Sequence, residues 1–377
     1  MKPYEKEIHE KLRKELQSDF LDLSEKDIGI LKSSIRKSIN NKINRSKCKI
    51  CGQTTKKANS HNIPQSSLRV LASDGKVLSL SNAIVDSSYF IHKVDPGLLQ
   101  AQTFNTICLK CENERFSEYE NDAIKESVPY NQLQLNQVEL KILLFMSYNK
   151  EYTFHYFDMV SENIKTRISN IEKANYLATD IKQINLDFLV EELEQVENKL
   201  YYSKKDIDDY DKLIKQSLKI TNKYETIMDF SLDTSMSFSV SVGILPTFNK
   251  NGIQINKTTH KKFANHNFGY LYILVLPYDD KNTRIVVFYN NKYNRHLNFV
   301  KKEFDELDSQ DLKLKKLSDL LLIYTDNIIY SKKIDDDIQH IFKNYEFLKQ
   351  YDPTQTSDGK VYINLIKKIN NTNLFNL

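Results

Sequence analysis

Apolar residues near the start of the chain recur every three to four positions, which is the period of an amphipathic helix. Residues 3–45 predict two helices separated near Ser24, because Ser24 and Asp27 are spaced like a capping box. The second helix is predicted from Glu25 to Asn44. Its apolar face carries Ile28, Leu31, Ile35, Ile39 and Ile43.

Helical spacing returns after residue 129. It predicts helical segments over residues 134–147, 152–176, 188–202 and 206–228. The third segment contains a 4-3-4 stripe formed by Leu189, Leu193, Val196 and Leu200, which is typical of a helical hairpin or a short coiled-coil arm. Packing in a core explains this stripe, and so does a homodimer formed through the helical region.

The period changes to two after Asp229, which predicts antiparallel strands. The strands are predicted over residues 236–242, 270–276 and 284–289, and residues 320–324 with 327–331 predict one or two more. Residues 249–252 predict the turn of a hairpin, and a last helix is predicted near residues 334–350. The C-terminal third is therefore predicted to be an antiparallel β-rich domain with flanking helices.

The composition is that of a globular protein, with 40% hydrophobic and 28% charged residues among 377. This balance excludes wholesale disorder. No apolar run approaches the roughly 18 to 20 residues that a membrane-spanning helix needs, and the first twenty residues are charged throughout. We therefore expect a cytoplasmic protein with no membrane partner.

All four cysteines fall in two C-x2-C pairs, Cys48 with Cys51 and Cys108 with Cys111. In a reducing compartment this spacing indicates metal ligation rather than disulfides. Gly52 follows the first pair, where a zinc knuckle needs a tight turn. The second pair follows a strand-like segment and opens a helix, which is the order of a treble clef. We predict one structural zinc ion.

These patterns together predict an α+β protein with an N-terminal zinc-bound treble-clef (ββα-metal-like) module, a helical middle and the β-rich C-terminal domain. The predicted domains are basic helices over 1–46, the zinc module over 47–128, the helical or coiled-coil region over 129–229 and the antiparallel sheet with flanking helices over 230–377.

Basic charge is concentrated around the first cysteine pair, although the net charge is only +4. From Ile28 through Ser73 there are ten basic residues and no Asp or Glu. Such a stretch is typical of a surface that faces phosphate, or of a solvated helix face. Arg69 is the tenth of these residues, and the candidate nucleic-acid contacts are Lys32, Arg36, Lys37, Lys42, Arg45, Lys47, Lys49, Lys56 and Lys57.

Between the cysteine pairs, the segment Ser60-His61-Asn62-Ile63-Pro64 resembles zinc-bound HNH endonucleases. In that family a C-x2-C knuckle precedes a His-x-x-Pro strand, and a second C-x2-C opens a metal-binding helix. The resemblance implies that His61 is the general base that activates water, and that Glu112 and Asn113 occupy the position of the last metal ligand. It also implies a catalytic Mg²⁺ or Mn²⁺ beside the structural zinc.

The chain departs from this family pattern at two positions. Ser60 stands where many of these nucleases have an acidic residue or histidine, and Glu112 stands where they usually have histidine or asparagine. A narrower resemblance, through Ser-His-x-Ile-Pro and the Cys111-Glu112-Asn113 helix, is to bacterial HNH-related proteins. The same residues have structural alternatives: His61 could bond a backbone carbonyl, and Glu112 and Asn113 could cap the helix.

Three functions follow as hypotheses. The first is an HNH-like, metal-dependent endonuclease acting on DNA, in anti-phage defence or on a mobile element. The second is a catalytically inactive zinc-finger protein that binds DNA or RNA. The third is a sensing or interaction scaffold in which the β-rich domain carries the function. The sequence contains no phosphate-cradling glycine loop, nucleophile elbow or helical zincin motif.

Overall fold

The computed structural model describes residues 25–44, 46–85, 88–94, 96–121, 129–177, 186–219, 222–255, 269–325, 327–334, 359–369 and 372–376. The helix predicted before Ser24 and nearly all of the helix predicted over 334–350 lie outside these residues. No helix in the described ranges is long and apolar enough to cross a membrane.

The chain divides into two compact units, and two of the three boundaries between them fall inside long helices. The smaller unit combines Met1–Ser46 with Glu151–Tyr201, and the larger combines Lys47–Lys150 with Tyr202–Leu377. The helices that belong partly to each unit are α4 (Gln132–Leu177) and α5 (Asp187–Ser217).

The smaller unit is helical where it is described. Helix α1 spans Glu25–Asn44, as the sequence predicts, and buries Ile39 and Ile43 completely. In α5, Leu189 and Val196 of the predicted stripe are also buried. Ion pairs join these helices at the surface, Lys42 to Asp158 at 3.1 Å and Lys165 to Glu197 at 3.2 Å.

The larger unit is built on a seven-stranded antiparallel sheet with the order β3-β2-β9-β6-β7-β8-β5. Its strands are β2 (Leu78–Val85), β3 (Ser88–Val94), β5 (Tyr224–Leu232), β6 (Phe238–Ile244), β7 (Leu271–Pro277), β8 (Thr283–Asn290) and β9 (Ile328–Tyr330). The C-terminal region is thus β-rich, as predicted. Two strands of the sheet, β2 and β3, come from the first hundred residues. They are joined to the C-terminal strands by the pairing of β2 with β9.

The larger unit also contains a short antiparallel strand pair and several helices. The pair consists of β1 (Ser60–His61) and β4 (Thr103–Phe104). The helices are α2 (Gln65–Leu71), α3 (Leu109–Asn121), α6 (Asn294–Asp305), α7 (Gln310–Tyr324) and α8 (Gly359–Ile369), with short 3₁₀ turns at Asn291–Tyr293, Lys332–Ile334 and Leu374–Asn376.

Helices cover both faces of the sheet, so every residue of β6, β7 and β8 is buried. On one face, Leu297 of α6 and Leu317 of α7 join the core formed by residues such as Val275 of β7. On the other, Gly243 lets α4 approach β6 closely. A Cβ added there would lie 3.4 Å from Ile142.

Two element predictions are wrong, and both concern short apolar runs. Residues 320–324 form the end of α7 rather than a strand, because the five-residue run continues the buried helical face that begins at Leu314. Residues 224–228 are strand rather than helix. There Tyr224, Thr226 and Ile227 favour a strand; Tyr224 and Thr226 pair with β8, and the register shifts at Ile227. Helix α4 is also continuous where two helices were predicted.

Candidate zinc centre and the His61 site

The first cysteine pair lies in a tight knuckle that the backbone holds in place. The Gly52 amide donates to the Cys48 carbonyl at 2.8 Å, and Gly52 adopts a φ of +73°, which glycine tolerates best. The Cys48 amide donates to the Gln53 carbonyl at 2.9 Å. The turn therefore directs both thiol groups of the knuckle toward one point.

The second pair is placed against this knuckle by α3. Cys111 lies in the first turn of α3 and Cys108 immediately precedes the helix. The Cys108 amide donates to the Cys48 sulfur at 3.3 Å, as amides around thiolate ligands do. The four ligand atoms all lie within 4.8 Å of one another, and the Cys51 and Cys108 sulfurs are 3.8 Å apart.

This donor set fits zinc. Four thiolates at about 2.3 Å from a tetrahedral Zn²⁺ stand about 3.8 Å from one another. Cys48, Cys108 and Cys111 are buried and Cys51 is exposed. Burial alone raises the pKa of Cys108, but hydrogen bonds from the Cys111 amide and the Thr55 side chain lower it to about 6. Burial raises the pKa of Cys111, and the neighbouring thiols add to that shift.

His61 follows the knuckle on β1, opposite Thr103 of β4. Its Nε2 lies 3.0 Å from the Leu98 carbonyl oxygen. A carbonyl can only accept, so in the neutral ring Nε2 carries the proton and Nδ1 keeps its lone pair. Burial lowers the pKa of His61, and Lys141 lowers it further against the opposing effects of the Leu98 bond and Glu112. The ring is thus neutral near pH 7.

Glu112, in the first turn of α3, is held by two protein donors. Ser60 Oγ donates to Glu112 Oε1 at 2.7 Å, and Lys141 Nζ donates to the same oxygen at 3.1 Å. Lys141 comes from α4 and its side chain is 1% exposed. Burial lowers the pKa of Lys141 and the Glu112 carboxylate opposes that shift. Phe116 contributes its ring face, 4.8 Å from Nζ.

A divalent ion does not fit at Glu112 in this arrangement. The carboxylate already compensates the Lys141 ammonium, and Ser60 brings a hydroxyl where a second acidic ligand would be needed. Asn113 is exposed on α3. Mg²⁺ and Mn²⁺ require several oxygen ligands in near-octahedral geometry, so one shared carboxylate is a poor site for either ion.

The structure separates the predicted nucleic-acid contacts into two groups. Three lysines are engaged with the protein: Lys42 with Asp158, Lys49 with Asp211, and Lys57 with the Thr106 carbonyl. Four residues are exposed and, among the described residues, have no carboxylate partner: Arg36, Lys37, Lys47 and Lys56. Arg45 and the side chain of Lys32 lie outside the described residues.

Lys141 is the site residue that sequence reasoning missed. Its signal is a single lysine within the apolar run Leu140-Lys141-Ile142-Leu143-Leu144-Phe145 of α4, which predicts a buried charge with a partner. The partner is 29 residues away along the chain and cannot be identified from the run itself.

A second buried carboxylate lies between α4, α5 and the sheet. Glu139 Oε2 accepts from Ser217 Oγ at 2.9 Å and from the Tyr224 hydroxyl. Burial raises the pKa of Glu139, while the hydrogen bonds from Tyr224, Ser217 and Tyr272 oppose the shift. These hydrogen bonds join the end of α5 to β5 and are structural.

Comparisons with protein-family models, with curated proteins and with solved structures gave no match for this chain.

Proposed function

We propose that the protein binds nucleic acid, DNA in the first place, through a zinc-stabilised HNH-like module of treble-clef type. The observation that carries the proposal is that Lys47 and Lys56 are exposed beside the first cysteine pair. They lie in a stretch of sequence that has no acidic residue, and the same stretch contributes exposed Arg36 and Lys37 to α1 of the smaller unit. Unpaired cations at a surface are available to phosphate, whereas lysines already bound to carboxylates are not.

The chain order supports a module of this type. A knuckle with Cys48 and Cys51 is followed by the antiparallel pair β1 and β4 and then by α3, whose first turn holds Cys111. Ser60 and Glu112 meet at 2.7 Å, and these are the two positions where the HNH resemblance places residues around a metal. The chain order is therefore compatible with the proposed module, while Ser60 and Glu112 differ from the residues that the resemblance implies at those positions.

The proposal is tested by fluorescence anisotropy with zinc-loaded protein, using labelled duplex DNA, single-stranded DNA and RNA without other divalent ions. We expect binding to duplex DNA that weakens linearly in log affinity as log salt rises, because counterions are released from phosphate. A higher affinity for RNA than for either form of DNA would make RNA the proposed partner. No binding to any of these probes at low salt would contradict the proposal and favour a sensing or interaction scaffold.

Endonuclease activity is the second candidate, and the His61 ring favours it. The Leu98 bond fixes the ring and leaves Nδ1 able to accept a proton, which is what a general base requires. Supercoiled plasmid is incubated with the protein and with His61→Ala, with Mg²⁺, with Mn²⁺ and without either ion. Nicking that disappears in the variant would establish this activity. Equal nicking by both proteins would mean that the nuclease activity does not depend on His61. DNA that stays intact but migrates more slowly on a gel would support DNA binding without cleavage.

A further inference from the structure

Two side chains from separate elements converge on one oxygen atom of a third. Ser60 of β1 and Lys141 of α4 both donate to Oε1 of Glu112 on α3, at 2.7 and 3.1 Å. Ser60 is 2% exposed, and the side chains of Lys141 and Glu112 are 1% and 14% exposed. The cluster is therefore built into the protein interior.

The cluster already contains a cation opposite its carboxylate, since Lys141 and Glu112 form an ion pair at 3.1 Å. A buried carboxylate is stable only when a cation or several donors compensate it, and Lys141 supplies that cation from within the chain. The ammonium is also held in place, since its long side chain packs over the rings of Phe116 and Tyr119. A divalent ion entering beside it would meet a fixed positive charge.

We infer that the ammonium of Lys141 takes the place of the divalent cation in this HNH-like layout, so that Ser60, Glu112 and Lys141 form a metal-free substitute for a metal site. This role goes beyond nucleic-acid binding and holds whether or not the protein binds DNA. It makes the His61 site independent of Mg²⁺ and Mn²⁺, and it assigns the cation role to a residue outside the cysteine module.

A lysine that substitutes for an ion should leave a cation site behind when its charge is removed, whereas a purely structural lysine should not. Glu112 Oε2 accepts no hydrogen bond in the described structure. Removing the ammonium would leave the negative charge of Glu112 uncompensated by Lys141, with Oε2 open and Oε1 still accepting from Ser60, next to the exposed Asn113. Lys141→Met removes the charge and keeps an unbranched side chain over Phe116. Lys141→Arg keeps the charge and is the matched control.

The test is titration of zinc-loaded protein with Mn²⁺, followed by the electron paramagnetic resonance signal of the free ion. We expect wild type, Lys141→Arg and Glu112→Gln to bind Mn²⁺ alike, through weak surface carboxylates only. Lys141→Met is expected to gain a site at least about tenfold tighter, which the double variant with Glu112→Gln lacks. Circular dichroism and zinc content establish that each variant is folded.

Two results would overturn the inference. The first is a Mn²⁺ site in the wild-type protein that Glu112→Gln removes, which is measurable even if Lys141→Met does not fold. The second is a folded Lys141→Met with no Mn²⁺ binding that depends on Glu112, because the lysine would then be a structural link and not a substitute for an ion.

Discussion

Asn62 and Ser241 exchange two hydrogen bonds although they are 179 residues apart in the sequence. The Asn62 side-chain amide donates to the Ser241 carbonyl at 2.6 Å, and Ser241 Oγ donates to Asn62 Oδ1 at 3.3 Å. Asn62 is fully buried, directly after His61. This pair of bonds ties the His61 segment to β6 in the sheet, so the cysteine module and the sheet stabilise each other within one unit.

Asn62→Ala is expected to destabilise the protein by about 1–3 kcal/mol, because it leaves the buried Ser241 groups without a partner. Urea denaturation measures the change. The matched control is Asn59→Ala, which removes one exposed bond to the Leu99 carbonyl and should change stability by less than about 1 kcal/mol. Equal destabilisation in the two variants would show that the link to β6 contributes nothing specific. Zinc content should stay unchanged in both.

Zinc analysis by mass spectrometry should find one ion per chain in the wild-type protein. Cys108→Ser is expected to lose the ion and to lower the unfolding temperature, because the ion would link the cysteine knuckle to the start of α3. His61→Ala should keep its zinc, since His61 is bonded to Leu98 and is not among the four ligand atoms. Loss of zinc in that variant would mean a different ligand set.

The two groups of lysines should behave differently toward DNA. Replacing the exposed Lys47 and Lys56 by Gln is expected to make the plot of log affinity against log salt less steep. The magnitude of the slope should fall by up to about 0.9 for each phosphate that is no longer neutralised. Lys49→Gln is the control, because Lys49 is already paired with Asp211. It should lower stability by about 1 kcal/mol and leave the slope unchanged. The opposite result would mean that the engaged lysines, and not the exposed ones, bind phosphate.

Glu139→Gln should reveal the buried carboxyl through the pH dependence of stability. Burial raises the folded-state pKa above 4.5, so the native state retains a proton that the unfolded chain loses, and stability falls as pH rises through this window. The variant cannot lose a proton. Its stability relative to wild type should rise with pH from about 4.5 upward, by at most about 1.4 kcal/mol per pH unit.

Denaturation series at several pH values measure this difference. A flat difference for Glu139→Gln would show that this carboxyl ionises equally in the folded and unfolded chain.

The parts of the fold that the sequence predicts are those with local signals. Periodicity and the capping pattern place α1 at Glu25–Asn44, and C-x2-C spacing with Gly52 identifies the four cysteines that the structure brings together. Strand pairing is not local. Nothing in the sequence of β2 indicates that it lies beside β9, because β9 is a short apolar strand from the opposite end of the chain.

The candidate site is only partly predictable for the same reason. The motif identifies His61, but the hydrogen-bond partner of the ring is a backbone carbonyl at Leu98, which any residue type provides. The neighbours of Glu112 in the sequence indicate a metal ligand. Its charge partner, Lys141, comes from a different helix, and only tertiary packing brings the two together.

Cys51 is exposed, whereas the other three cysteines are shielded by the protein. With zinc bound at these cysteines, a chelator or an incoming thiol would reach the centre first from the Cys51 side. The rate of metal exchange would then depend more on Cys51 than on the three buried cysteines. The equilibrium affinity for zinc would depend on all four cysteines. Changes near Cys51 at the surface could therefore slow or accelerate metal loading and release while the other three cysteines stay unchanged.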